Sequence, residues 1–156
     1  MRVLYGIDEV RAAVGEELGS SDWVLIDQER INAFAEVTQD FEWIHVDLDR
    51  AAQGPFGGTI AHGFLTLTLI PGLREHIFRI ETDRPRLNYG LDRVRFPAPV
   101  PVNSRVRMHA VIAEVSDVPN GVLTRTRYTF EIDGSERPAC VADMLELATS
   151  AALQGG

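Results

Sequence analysis

A chain of 156 residues, 45% hydrophobic and 24% charged, has the size and composition of one globular domain spanning 1–156, which excludes disorder and predicts no internal linker. Its formal net charge of -8 repels nucleic acid and anionic membranes at long range, so neither is expected as the main partner. All 15 basic residues are Arg, which removes Schiff-base and Walker-type lysine chemistry and leaves planar guanidinium forks for local phosphate contacts.

Cys140 is the only cysteine, so neither an internal disulfide nor a thiolate-rich zinc site is available, and a reducing compartment is expected. The opening MRVLYGIDEV lacks a basic region followed by an apolar run, so no signal peptide is expected. The longest apolar stretch, Phe64 to Leu73, is broken by Thr66, Thr68 and Pro71-Gly72 and is about half of the ~20 residues a membrane span needs. A cytoplasmic protein with no membrane span is the expectation.

In chain order, Ile7 to Val14 has apolar residues at 7, 10, 13 and 14, a helical spacing closed by Gly15. Asp22 to Ile26 is β-favouring. Asp27 can cap a helix from Gln28 to about Thr38, on which Ile31, Phe34, Ala35 and Thr38 share a face. Asp40 lies just past its end. A short helix from Asp47 to Ala52 follows, then a loop from Gln53 to Thr59 rich in glycine. The most apolar helical run opens at His62-Gly63, meets Pro71, and continues amphipathically through Leu73, Ile77 and Ile80. After a polar connection from Glu81 to Pro85 the period changes to two. Leu87–Phe96, Val102–Val115, Val122–Ile132 and Pro138–Ala148 read as strands, separated by Pro97-Ala98-Pro99, Pro119-Asn120-Gly121 and Asp133-Gly134-Ser135 turns. Arg84, Arg86, Arg93 and Arg95 are expected on solvated faces.

One early strand, a block of helices and about four later strands make an α+β domain with an antiparallel sheet of about five strands. The long helix opening at Gly63 is the only element apolar enough to cover one face, so the sheet is expected to curl around it. Exposed edge strands then favour pairing with a second copy, a homodimer.

Asp40 and His45, five residues apart, precede the glycine-rich segment and Ala61-His62-Gly63-Phe64 at the head of the apolar helix. Leu87 to Pro97 forms the strand beside them. This order resembles the hydratase-2 motif of the MaoC-like, (R)-specific enoyl-CoA hydratases, over roughly Asp22 to Ala148. The resemblance implies a hot-dog fold, in which a sheet wraps a central helix and two subunits pair. Many members carry Asn-Pro between the Asp and His. The Phe41-Glu42-Trp43-Ile44 spacer here resembles the NodN-like subgroup instead.

The implied reaction adds water to a trans-2-enoyl-CoA to give an (R)-3-hydroxyacyl-CoA, with the thioester as substrate and with no metal or other cofactor. It needs a base for water, an acid for the alpha carbon and a donor for the thioester oxygen. Asp40 and His45 supply the first two, with either as formal base, and the Gly63 N–H supplies the third as an oxyanion hole. The resemblance adds His62, Thr68 and Asn88 as substrate-binding residues, His62 through the turn, Thr68 as a small hydroxyl lining the pocket and Asn88 through its amide. Each also has a structural reading: an Asp after a helix commonly closes a turn, and a lone His is commonly packed. His45-x-Asp47 with His62 lacks the spacing of a metal motif. Two other classes stay open, a hot-dog acyl-CoA thioesterase and a non-catalytic acyl-thioester binding module. Thioesterases of this fold usually carry a carboxylate at the central helix, where the segment after Gly63 offers Thr66 and Thr68, and by that resemblance the lyase is favoured.

Overall fold

The computed structural model describes residues 1–149. Fourteen elements follow in the order β1 (Arg2–Tyr5), α1 (Gly6–Ala12), β2 (Glu17–Ser20), β3 (Val24–Ile26), α2 (Gln28–Thr38), α3 (Trp43–Val46), α4 (Leu48–Ala52), α5 (Gly63–Thr68), α6 (Ile70–Ile77), β4 (Phe78–Glu81), β5 (Arg86–Arg95), β6 (Ser104–Val118), β7 (Gly121–Ile132) and β8 (Cys140–Thr149). Six strands form one sheet in the order β2-β6-β7-β8-β5, with β3 also paired to β6, and every pairing in it is antiparallel. The expected α+β architecture is present with one strand more than expected, because β2 and β3 each pair with a different part of the long β6.

Alternation along β6, β7 and β8 decides which face is inside. Val106, Met108, Ala110 and Ile112 on β6, Tyr128, Phe130 and Ile132 on β7, and Cys140, Ala142 and Met144 on β8 are all buried. The register sets them opposite one another, Met108 against Phe130 and Phe130 against Cys140. Leu65, Leu67, Ile70, Leu73 and Ile77 of α5 and α6 fill the concave side and join the same core. Arg74 of α6 donates to Glu146 of β8 at 2.5 Å, which fastens the helix to the sheet inside the layer. Arg86 is only 16% exposed at its side chain and lies 3.7 Å from the same carboxylate, so it is not on the solvated face expected for it.

The central helix comes in two pieces, with Leu69 between them in αR geometry. Pro71 is the cause: it has no N–H to return to the carbonyl four residues back. The Leu69 N–H bonds the Thr66 carbonyl at 3.2 Å, and the four-residue ladder resumes with Leu73 to Leu69 at 3.0 Å. The helix also stops at Ile77 rather than reaching Ile80. Phe78 and Ile80 are buried and alternate with exposed Arg79 and Glu81 on β4, which pairs in parallel with β1. Leu73, Ile77 and Ile80 fit a helical period, and pairing with residues 2–5, far away in sequence, overrides it.

The helix ends before the site follow local chemistry. Asp27 caps α2 by accepting from the Arg30 N–H at 2.9 Å, and Asp47 caps α4 by accepting from the Arg50 N–H at 3.0 Å, contacts of a kind worth about 1 kcal/mol each. α2 terminates at Gln39, whose φ of 59° is left-handed. That reversal turns the chain so that Asp40 leaves the helix axis.

Candidate active site

His45 is placed by three separate connections. Gln28, the first residue of α2, donates to the His45 carbonyl at 2.8 Å and accepts the Thr59 hydroxyl at 2.5 Å. The Thr59–Ala61 segment is itself held as a short extended stretch, with Ile60 N–H to Ile44 carbonyl at 3.0 Å, Ala61 N–H to Val100 carbonyl at 2.8 Å and Val102 N–H to Thr59 carbonyl at 2.9 Å. The Ile60 carbonyl so fixed lies 2.7 Å from His45 Nδ1. A carbonyl only accepts, so Nδ1 carries the proton and Nε2 presents a bare lone pair when the ring is neutral. Burial holds this imidazole below its ordinary value of 6.5. The Ile60 carbonyl, Asp40 and Glu42 oppose that lowering, and His62 reinforces it. The ring is therefore neutral at pH 7 with an open acceptor nitrogen, the form a proton acceptor requires.

Asp40 is exposed, and its Oδ1 accepts the Glu42 N–H at 3.3 Å, a turn of the kind its position predicts. That bond leaves carboxylate lone pairs free. His62, 2% exposed, brings its Nε2 to 3.0 Å from the Asp40 main-chain carbonyl, while its ring lies on that of His45 with centroids 3.8 Å apart and planes 27° apart. Ligating atoms of Asp40, His45 and His62 all lie within 4.8 Å of one another. As a metal set they are poorly disposed. His45 Nδ1 and His62 Nε2 are already bonded to carbonyls, and the remaining nitrogens belong to rings stacked on each other with planes 27° apart.

Gly63 is the first residue of α5, so its N–H has no acceptor within the helix. It lines a cavity of about 290 Å³ together with His45, Phe56, Thr66, Phe96 and Ala139. A Cβ on Gly63 would stand 3.0 Å from the Phe96 ring. The glycine is needed for close approach rather than for a left-handed backbone.

The structure thus gathers Asp40, His45 and His62, with His45 and Gly63 lining one cavity. It sends Thr68 and Asn88 elsewhere. Thr68 is exposed, donates to the Leu65 carbonyl at 2.9 Å and lines a separate apolar groove of about 690 Å³ with Phe34, Val37 and Phe64. Thr66, three residues after Gly63, shares its helix face and turns its buried side chain toward the site; at five residues, Thr68 is on another face. Asn88 is exposed on β5, opposite Glu146, away from the lining of the His45 cavity. Gln28, Thr59 and Phe96 carried no local signal, because each acts through a partner distant in sequence; Thr66 is selected by its helical phase from Gly63.

The profile of the MaoC like domain family matches residues 9–131. The chain is similar to the 3-hydroxyacyl-thioester dehydratase Z of Mycobacterium tuberculosis, 50% identical over 146 residues that cover 93% of this chain and 97% of that protein. It is also similar to Nodulation protein N of Rhizobium leguminosarum, 44% identical over 142 residues, 89% of this chain and 88% of that one. In fold it resembles the R-hydratase PhaJ1 from Pseudomonas aeruginosa, with a TM-score of 0.71 at 20% identity, covering 88% of this chain and 83% of the other.

Proposed function

This chain belongs to the MaoC-like domain family, and we propose that it is an (R)-specific hydro-lyase that adds water to trans-2-enoyl-CoA and removes it from (R)-3-hydroxyacyl-CoA. The observation that carries the proposal is the approach of Asp40 to a His45 whose Nε2 is bare, at the cavity that Gly63 lines. The hot-dog fold of the neighbours, and the dehydratase name of a relative half identical to this chain, support it.

In the hydration direction one water sits between Asp40 and His45, donating to both acceptors. Its oxygen attacks C3 of the enoyl group. His45 Nε2, as base, takes one of its protons, and the C2–C3 π electrons move onto the thioester oxygen, which accepts the Gly63 N–H. C2 is then protonated from the pair on the same face, giving syn addition. General acid/base help of this kind is worth ~10²–10⁴-fold. The acid, base and oxyanion donor all come from the chain, and the reaction is redox-neutral, so no cofactor beyond the thioester substrate is called for. The protein is expected to work as a homodimer. β5 is a ten-residue edge strand whose Leu87, Tyr89 and Leu91 are exposed, a surface suited to a second copy.

Incubation with crotonyl-CoA tests the proposal, following enoyl absorbance and free thiol together. Loss of absorbance without thiol is expected. Thiol release would place the chain among the thioesterases, and neither signal over a range of acyl lengths would leave an acyl-binding module.

The pH profile gives a further check. A buried His45 with a lowered pKa stays neutral below its ordinary 6.5, so the acid limb of kcat/KM for hydration is expected below pH 6.5. The sign for stability is the same. The unfolded chain takes up a proton at His45 before the folded one does, so this group withdraws stability as pH falls below 6.5 and no further once the folded ring is protonated. An acid limb above 6.5 contradicts His45 as base.

A further inference from the structure

His62 touches more of the proposed site than any role in shaping a turn requires. It stands at the N-cap position of α5 without a side-chain capping bond, so its ring is not spent on the helix end. Its Nε2 reaches back 22 residues to the main-chain carbonyl of Asp40 at 3.0 Å. Its ring face covers His45, and Phe34 of α2 closes on it with centroids 5.0 Å apart. Its Nδ1 is buried with no hydrogen-bond partner among the described residues.

We propose that His62 is a positioning residue, which ties the Asp40 turn to the head of the central helix and holds the His45 ring in the orientation that keeps its Nδ1 on the Ile60 carbonyl. The proposal rests on the hydration reading of the site. Asp40 is exposed and follows a left-handed residue, so its own surroundings do little to hold it. The His62 N–H is the contact that fixes its main chain relative to Gly63, the very next residue to His62. An Nδ1 proton on His62 would be buried with no acceptor, so the ring keeps its proton on Nε2, facing the Asp40 carbonyl. His45 keeps the opposite tautomer, with its proton on Nδ1 facing Ile60. The groups around His45 are His62 across the stack, the Asp40 and Glu42 carboxylates and the Ile60 carbonyl. Burial and His62 disfavour its protonation, and the others favour it.

Two variants separate the two contacts. His62→Gln keeps a side-chain N–H able to reach the Asp40 carbonyl and removes the covering ring; His62→Phe keeps a ring and removes the donor. Each is expected to lower kcat for crotonyl-CoA at least about tenfold while KM moves less than about threefold, because the reacting groups are displaced while the groups that bind the substrate stay in place. The acid limb of kcat/KM is expected to rise in His62→Gln, where both the cover on His45 and the neighbouring imidazole are gone, and to rise less in His62→Phe, which keeps the cover. A kcat within about threefold of the unsubstituted protein in both folded variants, or a KM effect with kcat kept, overturns the role.

Should either substitution prevent folding, ¹⁵N-imidazole NMR of the unsubstituted protein at pH 7 reads the same arrangement. His45 protonated on Nδ1 and His62 on Nε2 is expected, and a His62 proton on Nδ1 overturns it. Failure of the unsubstituted protein to hydrate enoyl thioesters overturns the hydration reading and this role with it. Activity with unaffected variants overturns the role of His62 alone.

Discussion

Asp40→Asn and His45→Gln are each expected to lower kcat for crotonyl-CoA hydration by ~10²–10⁴-fold, with KM changed far less. Both substitutions keep shape and remove an acceptor. Asn can still accept the Glu42 N–H through one oxygen, as Asp40 does at 3.3 Å, but presents an NH₂ group where the second carboxylate oxygen stood. Gln can donate to the Ile60 carbonyl in place of His45 Nδ1, and it has no basic nitrogen to offer in place of Nε2. Asp40 is exposed, so its substitution removes no packing. His45 is 8% exposed, and Gln is close to it in volume. Thermal melts are therefore expected to shift little in Asp40→Asn and modestly in His45→Gln. Near-normal turnover in either variant would remove the residue from the chemistry.

Gly63→Ala is expected to cost on the order of 10²-fold in kcat, the size of effect that a displacement of about 1 Å at reacting groups produces. The added methyl meets no backbone prohibition, since only a positive φ would make it strained. It meets the Phe96 ring at 3.0–3.2 Å, and that ring is packed edge-on against Phe64 with centroids 6.0 Å apart. Either Phe96 shifts into the 290 Å³ cavity it shares with His45, or the first turn of α5 moves and carries the Gly63 N–H with it. A second substitution distinguishes the outcomes. Phe96→Ala in the Gly63→Ala background is expected to relieve the crowding, recover stability and return turnover toward that of the Phe96→Ala single variant, because the N–H regains its place. Stability recovered without turnover would show that the methyl does not act through Phe96.

How much of this was legible beforehand depends on the range of the interactions. α2 was readable because its signals are local, the Asp27 cap and the spacing of Ile31, Phe34 and Ala35. The meander of β6, β7 and β8 was readable because half-buried strands alternate, and because Gly121 and Gly134 take the positive φ their turns need. Asp40, His45 and Gly63 could be singled out from their order along the chain, and the structure brings the first two together and the last two onto one cavity. Contacts between remote segments were not legible. Nothing near Gln28 says that it will grip the His45 carbonyl, nothing near Phe96 that its ring will face Gly63, and nothing near Phe78 that residues 2–5 will pair with it. The misplacement of Thr68 has a different origin. Both threonines were visible, and choosing between them needed the helical phase from Gly63, which selects Thr66.

The claim that Asp40 and His45 grip one water between them is tested most directly by a double-mutant cycle on crotonyl-CoA hydration. Two groups that act on a single water fail together, so Asp40→Asn/His45→Gln is expected to turn over no more slowly than the slower single variant, within about threefold. If the two losses multiply instead, the residues act on separate steps, and the shared water is wrong.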